Sequence, residues 1–243
     1  MPYVISNLAV QDPDPCAPTR DEGRRLPEPA RRWLERSIRT GTAGYTRVHL
    51  ELEGQIKLGS WHRFTARQTI RPRHGYTWRG RTTVAGVPMD GLETMTPSVA
   101  RRLWRAARLV SVLRSDGPDE LNSAAGRLAA ESVFVPTTFG LVTWEAAADP
   151  DSVFATWRIG SRVDRIRLEV APSGRLRSVS LRRWGTPPGG RYGRHPFGLH
   201  FEEEITVDGV TLPRTMTASW LWGSDRQRDG AVMRGQVVGA RFA

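Results

Sequence analysis

From about residue 143 to 242, apolar and polar positions alternate between short turns, the pattern of antiparallel strands that bury one face. Val153, Ala155, Trp157 and Ile159 fall on one side, with Phe154, Thr156 and Arg158 on the other, because successive strand side chains point to opposite faces. Gly160-Ser161 supplies a two-residue hairpin loop, after which Ile166, Leu168 and Val170 alternate with Arg165, Arg167 and Glu169. Asp208-Gly209 is a stronger hairpin signal, and Pro172-Ser173-Gly174 marks a further turn. The spacing predicts strands over 141–147, 152–159, 162–170, 175–184, 199–207, 210–222 and 231–242.

The first half mixes periods. Residues 1–24 carry Gln11-Asp12-Pro13-Asp14-Pro15 and read as a loosely ordered tail, leaving 25–243 as a single domain. Leu26-Pro27-Glu28-Pro29 opens a helix over 30–38, with an early proline and Glu28 suited to the free amides of a first turn. Val48, Leu50 and Leu52 alternate with polar residues until Gly54 breaks the run before Ile56 and Leu58, giving a strand pair. Two more strands follow over 61–70 and 76–84. The spacing of Val99, Leu103, Ala106, Val110 and Leu113 predicts a helix over 97–113, and a second, richer in alanine, covers 121–133 until Pro136 closes it. The fold class is therefore mainly β: a strongly curved antiparallel half-barrel or barrel of about ten strands covered by two or three helices.

Composition adjusts this picture in three places. The formal charge of +11 raises nucleic acid or an anionic surface as partner. However, Lys57 is the single lysine among 36 basic residues, and the arginines are scattered through nearly every element. Only Arg101, Arg102, Arg105 and Arg108 would gather, on one face of the helix over 97–113, and a solvated helix face is the simpler reading, so no nucleic acid is expected. Cys16 is the only cysteine, which excludes an intrachain disulfide and a cysteine zinc site. No apolar run approaches the roughly 20 residues needed to span a bilayer, and the N-terminus lacks the pattern of a secretion signal, so a cytoplasmic protein is expected.

Several motifs read together carry a resemblance. Leu26-Pro27-Glu28-Pro29, Trp78-Arg79, the run Ala124-Ala125-Gly126-Arg127-Leu128-Ala129-Ala130-Glu131, Pro136-Thr137, Arg183-Trp184-Gly185 and His195-Pro196-Phe197-Gly198 resemble an uncharacterised bacterial family known only as a domain of unknown function. The resemblance covers nearly the whole chain after the tail. It implies a fold similar to the lipoprotein-carrier half-barrels of LolA and LolB type, with helices over the concave side, and no established activity.

The candidate chemistry is sparse. Nine tryptophans are the best clue to a ligand, and Trp61, Trp78, Trp157, Trp184, Trp220 and Trp222 on predicted strands could line a concave apolar surface or simply fill it. Trp220 and Trp222 are expected to share a face. Phe197 is a further candidate for ligand contact, and Arg183, His195 and Glu131 are expected as polar groups near the cavity entrance. Buried Glu131 or His195 could act as acid or base, while a partner such as Arg127 or Arg183 would make Glu131 structural. His200, Glu202 and Glu204 alternate on one strand face but stand too far apart to converge on one metal, so no metal is expected. Asp90 and Glu93 could form a carboxylate pair but lie beside turn residues. The stretch 185–198, with Pro187-Pro188-Gly189-Gly190, is read as a flexible lid or rim.

The leading functional expectation is a binding protein for an apolar or amphipathic small molecule, lipid or polyketide-like, in an aromatic-lined cavity, without a cofactor. The alternative is a cofactor-free cyclase or isomerase in the same cavity, and the third is an anionic-surface or nucleic-acid adaptor using the Arg101 to Arg108 stripe.

Overall fold

The computed structural model describes residues 26–243. Helix α1 spans Glu28–Ser37, and six strands follow as a meander: β1 Val48–Leu58, β2 Ser60–Arg71, β3 Gly75–Val84, β4 Val87–Met95, β5 Ala100–Ala106 and β6 Val110–Asp116. Helix α2, Pro118–Glu131, runs into two 3₁₀ turns at Ser132–Phe134 and Pro136–Leu141. A second meander comprises β7 Thr143–Ala146, β8 Ser152–Ile159, β9 Arg162–Val170, β10 Leu176–Gly185 and β11 Gly193–Phe201. A small hairpin, β12 Glu204–Val207 and β13 Val210–Pro213, precedes β14 Thr215–Trp220 and β15 Ala231–Phe242.

Thirteen strands form one antiparallel sheet in the order β6-β5-β4-β3-β2-β1-β15-β14-β11-β10-β9-β8-β7, and β12 with β13 form a separate pair. The two meanders are thus two wings of one sheet, joined because β15 pairs with β1 and β14 with β11. The sheet curls into a half-barrel, as a sheet of this many strands must twist or curl to stay covered. Helix α2 occupies the concave side, touching β9 and β10 of one wing and β3 to β6 of the other. It can lie this close because most of its buried residues are small, Ser123, Ala124, Ala125, Gly126, Ala129 and Ala130, beside the larger Glu120, Leu121, Leu128 and Glu131. A Cβ on Gly126 would sit 3.2 Å from Cγ of Arg183. Further along the trough, Phe139 from the second 3₁₀ turn packs edge-on against Trp33 of α1 at 4.7 Å and Trp157 of β8 at 5.1 Å, filling that end.

The structure corrects three readings of the first half. Gly54 does not break its strand: β1 runs unbroken from Val48 to Leu58, and Gly54 takes φ +152° where a Cβ would meet the carbonyl oxygen of Arg234. The expected helix over 97–113 is the hairpin β5–β6, closed by Ala107 and Arg108, both at positive φ. Its apolar spacing matched a helix because the register shifts between Trp104 and Arg105, which interrupts the alternation of a strand. The basic stripe disappears with the helix: Arg102 faces inward with Trp104, Arg101 and Arg105 are exposed on the other face, and Arg108 sits in the turn beside Asp90. The expected tail and Cys16 lie outside the described residues. No helix of the described residues is long and apolar enough to cross a membrane.

Leu128 is fully buried between the wings. Leu128→Ala should therefore lower unfolding free energy by about 2–5 kcal/mol, the range for emptying a tightly packed site, as read from urea denaturation midpoints at unchanged slope.

Candidate functional site

Beside α2 the trough is not filled. A cleft of about 360 Å³ opens there, its apolar walls supplied by Trp78, Trp104, Phe197, Trp220, Leu199 and Met233. The indoles lie deep because the sheet beneath them lacks side chains: a Cβ on Gly80 would stand 2.0 Å from the Trp78 ring, and one on Gly91 would stand 2.8 Å from that of Trp104. Trp78 and Trp104 are 5.8 Å apart and tilted. Phe197 and Trp220, on the neighbouring strands β11 and β14, form an edge-to-face pair at 4.9 Å. The buried indole N–H of Trp78 has no hydrogen-bond partner among the described residues.

The other wall is ionic. Arg127 on α2 donates from Nε to Glu131 at 2.8 Å and from Nη1 to Glu93 of β4 at 2.5 Å. The second oxygen of Glu131 accepts from Gln68 of β2 at 2.6 Å. Arg102 of β5 pairs with Glu120 at the start of α2 at 3.0 Å and approaches Glu93 at 3.4 Å. These pairs tie the helix to the β3–β6 wing. Burial pushes the Glu93 carboxyl up, but Arg127, Arg102 and Arg183 together outweigh it and hold its pKa below the usual carboxylate value. Burial likewise works against the charge of Arg127, yet Glu131 and Glu93 leave its pKa raised. Tyr76, beneath the Arg127 guanidinium at 4.8 Å, is kept protonated far above the ordinary phenol range, chiefly by burial.

Arg183 of β10 differs from these. Its Nε donates to the Ser123 carbonyl at 3.2 Å and Nη2 to the Ser123 hydroxyl at 3.4 Å, and its guanidinium lies 4.6 Å from the Phe197 ring and 5.4 Å from that of Trp220. It forms no ion pair among the described residues. Burial, followed by the like charges of Arg127 and Arg102, pulls its pKa down to about 10.

Of the residues singled out in sequence, Trp78, Arg183, Phe197, Trp220 and Glu131 line the cleft. Four tryptophans do not. Trp61 stands on the convex face in a broad open groove of about 1350 Å³, with the Arg234 guanidinium 4.7 Å from its ring. Trp157 is fully buried against Phe139. The indole N–H of Trp184 donates to Asp119 at the start of α2, and its ring faces Tyr192 at the rim. Trp222 does not share a face with Trp220: Leu221 adopts φ +57°, the strand ends, and the Trp222 ring lies over Gly198, whose missing Cβ points away from Phe197.

His195 is outside the cleft, with Nε2 2.8 Å from the Arg191 carbonyl. Asp90 and Glu93 are sent to opposite faces of β4, where Asp90 pairs with Arg81 and Glu93 with Arg127. His200 is exposed, Glu204 pairs with Arg36, and no metal-binding cluster is present among the described residues. The expected lid shortens to the seven residues between Gly185 and Gly193, because the His195-Pro196-Phe197-Gly198 segment belongs to β11. Thr186 and Tyr192, at the two ends of that loop, reach the cleft rim. The sequence reading missed Trp104 and Arg102 because it placed both on a helix. Their i, i+2 spacing is the signal that strand pairing would have exposed.

A curled antiparallel sheet holding one helix in its trough, with an aromatic and ionic cleft beside that helix, defines a half-barrel of open-trough type. The chain belongs to the family of unknown function DUF6544, whose sequence profile matches residues 17–228, in line with the resemblance its motifs carry. None of the curated proteins matches it in sequence. Similar solved structures include a domain assigned to outer membrane lipoprotein sorting from Vibrio parahaemolyticus, at 11% identity and TM-score 0.46, covering 90% of this chain and 93% of that one. A DUF1329 family protein from Desulfovibrio piger aligns at 12% identity and TM-score 0.45, covering 88% and 90%. A LolA superfamily protein from Nitrosomonas europaea aligns at 13% identity and TM-score 0.37, covering 88% and 93%.

Two measurements test the ionic wall. Arg127→Met would strand Glu93 and Glu131 in the interior and should cost about 3–5 kcal/mol of stability, as for other broken buried pairs, with denaturant unfolding as the readout. Because the Glu93 pKa is lowered on folding, its contribution is present above the unfolded carboxylate value of about 4.3 and disappears as pH falls through the folded value. Glu93→Gln should therefore flatten the acid limb of a melting-temperature profile relative to the wild type.

Proposed function

We propose that this protein binds an apolar or amphipathic small molecule in the cleft between α2 and the sheet. The observation that carries this reading is the cleft itself: a trough otherwise filled by Leu128, Phe134, Phe139 and Trp157 leaves an opening walled by Trp78, Trp104, Phe197 and Trp220. Its size falls in the range of small-molecule sites, roughly 300–1000 Å³, and walls made of aromatic rings favour an apolar guest over water.

No specific observation favours the cyclase or isomerase reading. Both oxygens of Glu131 are engaged, by Arg127 and Gln68, so the residue serves the wall, and His195 does not reach the cleft. Nor do the arginines from Arg101 to Arg108 form a single surface that an anionic polymer could follow.

Tryptophan emission and a neutral fluorescent probe, N-phenyl-1-naphthylamine, provide the test. The wild type should bind the probe saturably at one site and quench part of the tryptophan emission, since Trp78, Trp104 and Trp220 line the cleft. Ala218→Leu, which adds volume to the cleft wall, should weaken binding by about tenfold, a difference of ~1.4 kcal/mol. Unsaturable binding, or affinity unchanged in Ala218→Leu, would remove the cleft from consideration.

A further inference from the structure

The charges around the cleft balance in number, Arg102, Arg127 and Arg183 against Glu93, Glu120 and Glu131, but they are not paired evenly. Glu93 and Glu131 are both held by Arg127, and Arg102 is shared by Glu93 and Glu120. Asp164, on the strand next to Arg183, is paired with Arg194 at 3.3 Å. Lys57, at the rim, is half-buried and donates to the Asp229 carbonyl. Arg183 alone among the buried cations lining the cleft has no carboxylate within ion-pairing distance among the described residues.

Its orientation is fixed. Ser123 occupies one edge through two hydrogen bonds, and the rings of Phe197 and Trp220 flank the guanidinium. Three of the five N–H groups that an arginine carries are left without an acceptor among the described residues. A buried cation in this state is costly, and the cost is relieved by an anion that accepts from the free edge.

We infer that the ligand of this cleft is an amphiphile with a single negative charge, a carboxylate-type head seated on Arg183 and an apolar body lying along Trp78, Trp104 and Trp220. The inference rests on the cleft reading above and adds to it the chemistry of the head group. A planar carboxylate matches the guanidinium fork. A dianionic phosphate would bring a second charge into a wall that already holds Glu93 and Glu131, and like charges at such separations repel. A neutral amphiphile would leave Arg183 without a directly paired anion, as it is without a guest.

Calorimetric titration of the full-length protein with dodecanoate, dodecanol and dodecyl phosphate, below micelle formation, separates these cases. The wild type should bind dodecanoate about 10- to 100-fold more tightly than dodecanol, the span expected for one hydrogen-bonded charge, and more tightly than dodecyl phosphate. Arg183→Met should remove the preference for the acid and leave dodecanol affinity within about twofold, while Arg183→Lys should keep part of the preference. If Arg183→Met fails to fold, as read from its thermal melt, the wild-type comparison and Arg183→Lys still decide. Equal affinity for acid and alcohol, or parallel loss of both in the Arg183 variants, would overturn the head-group inference while the cleft stands. Tighter binding of the phosphate would overturn the single-charge assignment. Absence of binding by any of the three would overturn the cleft reading as well.

Discussion

The structure depends on how a sheet too wide to stay flat is kept from collapsing or opening. Its two wings are continuous only through β14 and β15, so elsewhere they are held by what lies between them. That filler is α2, whose small residues allow contact with both walls and whose Arg127 binds Glu93 across the gap. Each charge taken out of water costs several kcal/mol. The arrangement is sustained because every carboxylate facing the helix finds a guanidinium, and the phenol of Tyr76 and amide of Gln68 stand in direct contact with the same knot.

The cleft follows from the same geometry. Aliphatic and aromatic side chains below α2 interlock, but a 14-residue helix cannot cover the whole trough. What it leaves uncovered is bounded on one side by four aromatic rings and on the other by the ionic knot, with Arg183 at the junction of the two. The site is therefore amphipathic by construction, and its polar end presents the Arg183 guanidinium without a direct ion pair among the described residues even though Glu93, Glu120 and Glu131 stand nearby. The net charge of +11 does not set that polarity, since its arginines are spread over the surface, some in exposed pairs such as Arg31 with Glu35 and Arg165 with Glu145, which contribute little.

Much of the fold was legible because the forces that set it are local. The alternation in β8 and β9, the Asp208-Gly209 turn and the alanine-rich helix before Pro136 all survive into the structure. The hairpin β5–β6 was not legible, because its turn uses Ala107 and Arg108 where a glycine or asparagine would announce positive φ, and its bulge shifts the apolar spacing toward a helical period. The fate of the tryptophans was half legible. Strand parity places Trp78 and Trp220 inward and Trp61 outward, but the twist at Leu221 that turns Trp222 to the far side of β11 leaves no mark in composition. The Arg127 knot needed the tertiary structure, because Glu93 lies 34 positions away from its partner.

Gly80 and Gly91 face each other on β3 and β4, each under an indole. The floor of the cleft is in effect carved by two absent methyl groups: the depth to which Trp78 and Trp104 sink, and with it the room above them, is set by hydrogen atoms where any other residue would place carbon. Growth by a single carbon at either position would lift an aromatic plate toward α2 and shut the recess from below, far from any atom that touches a guest.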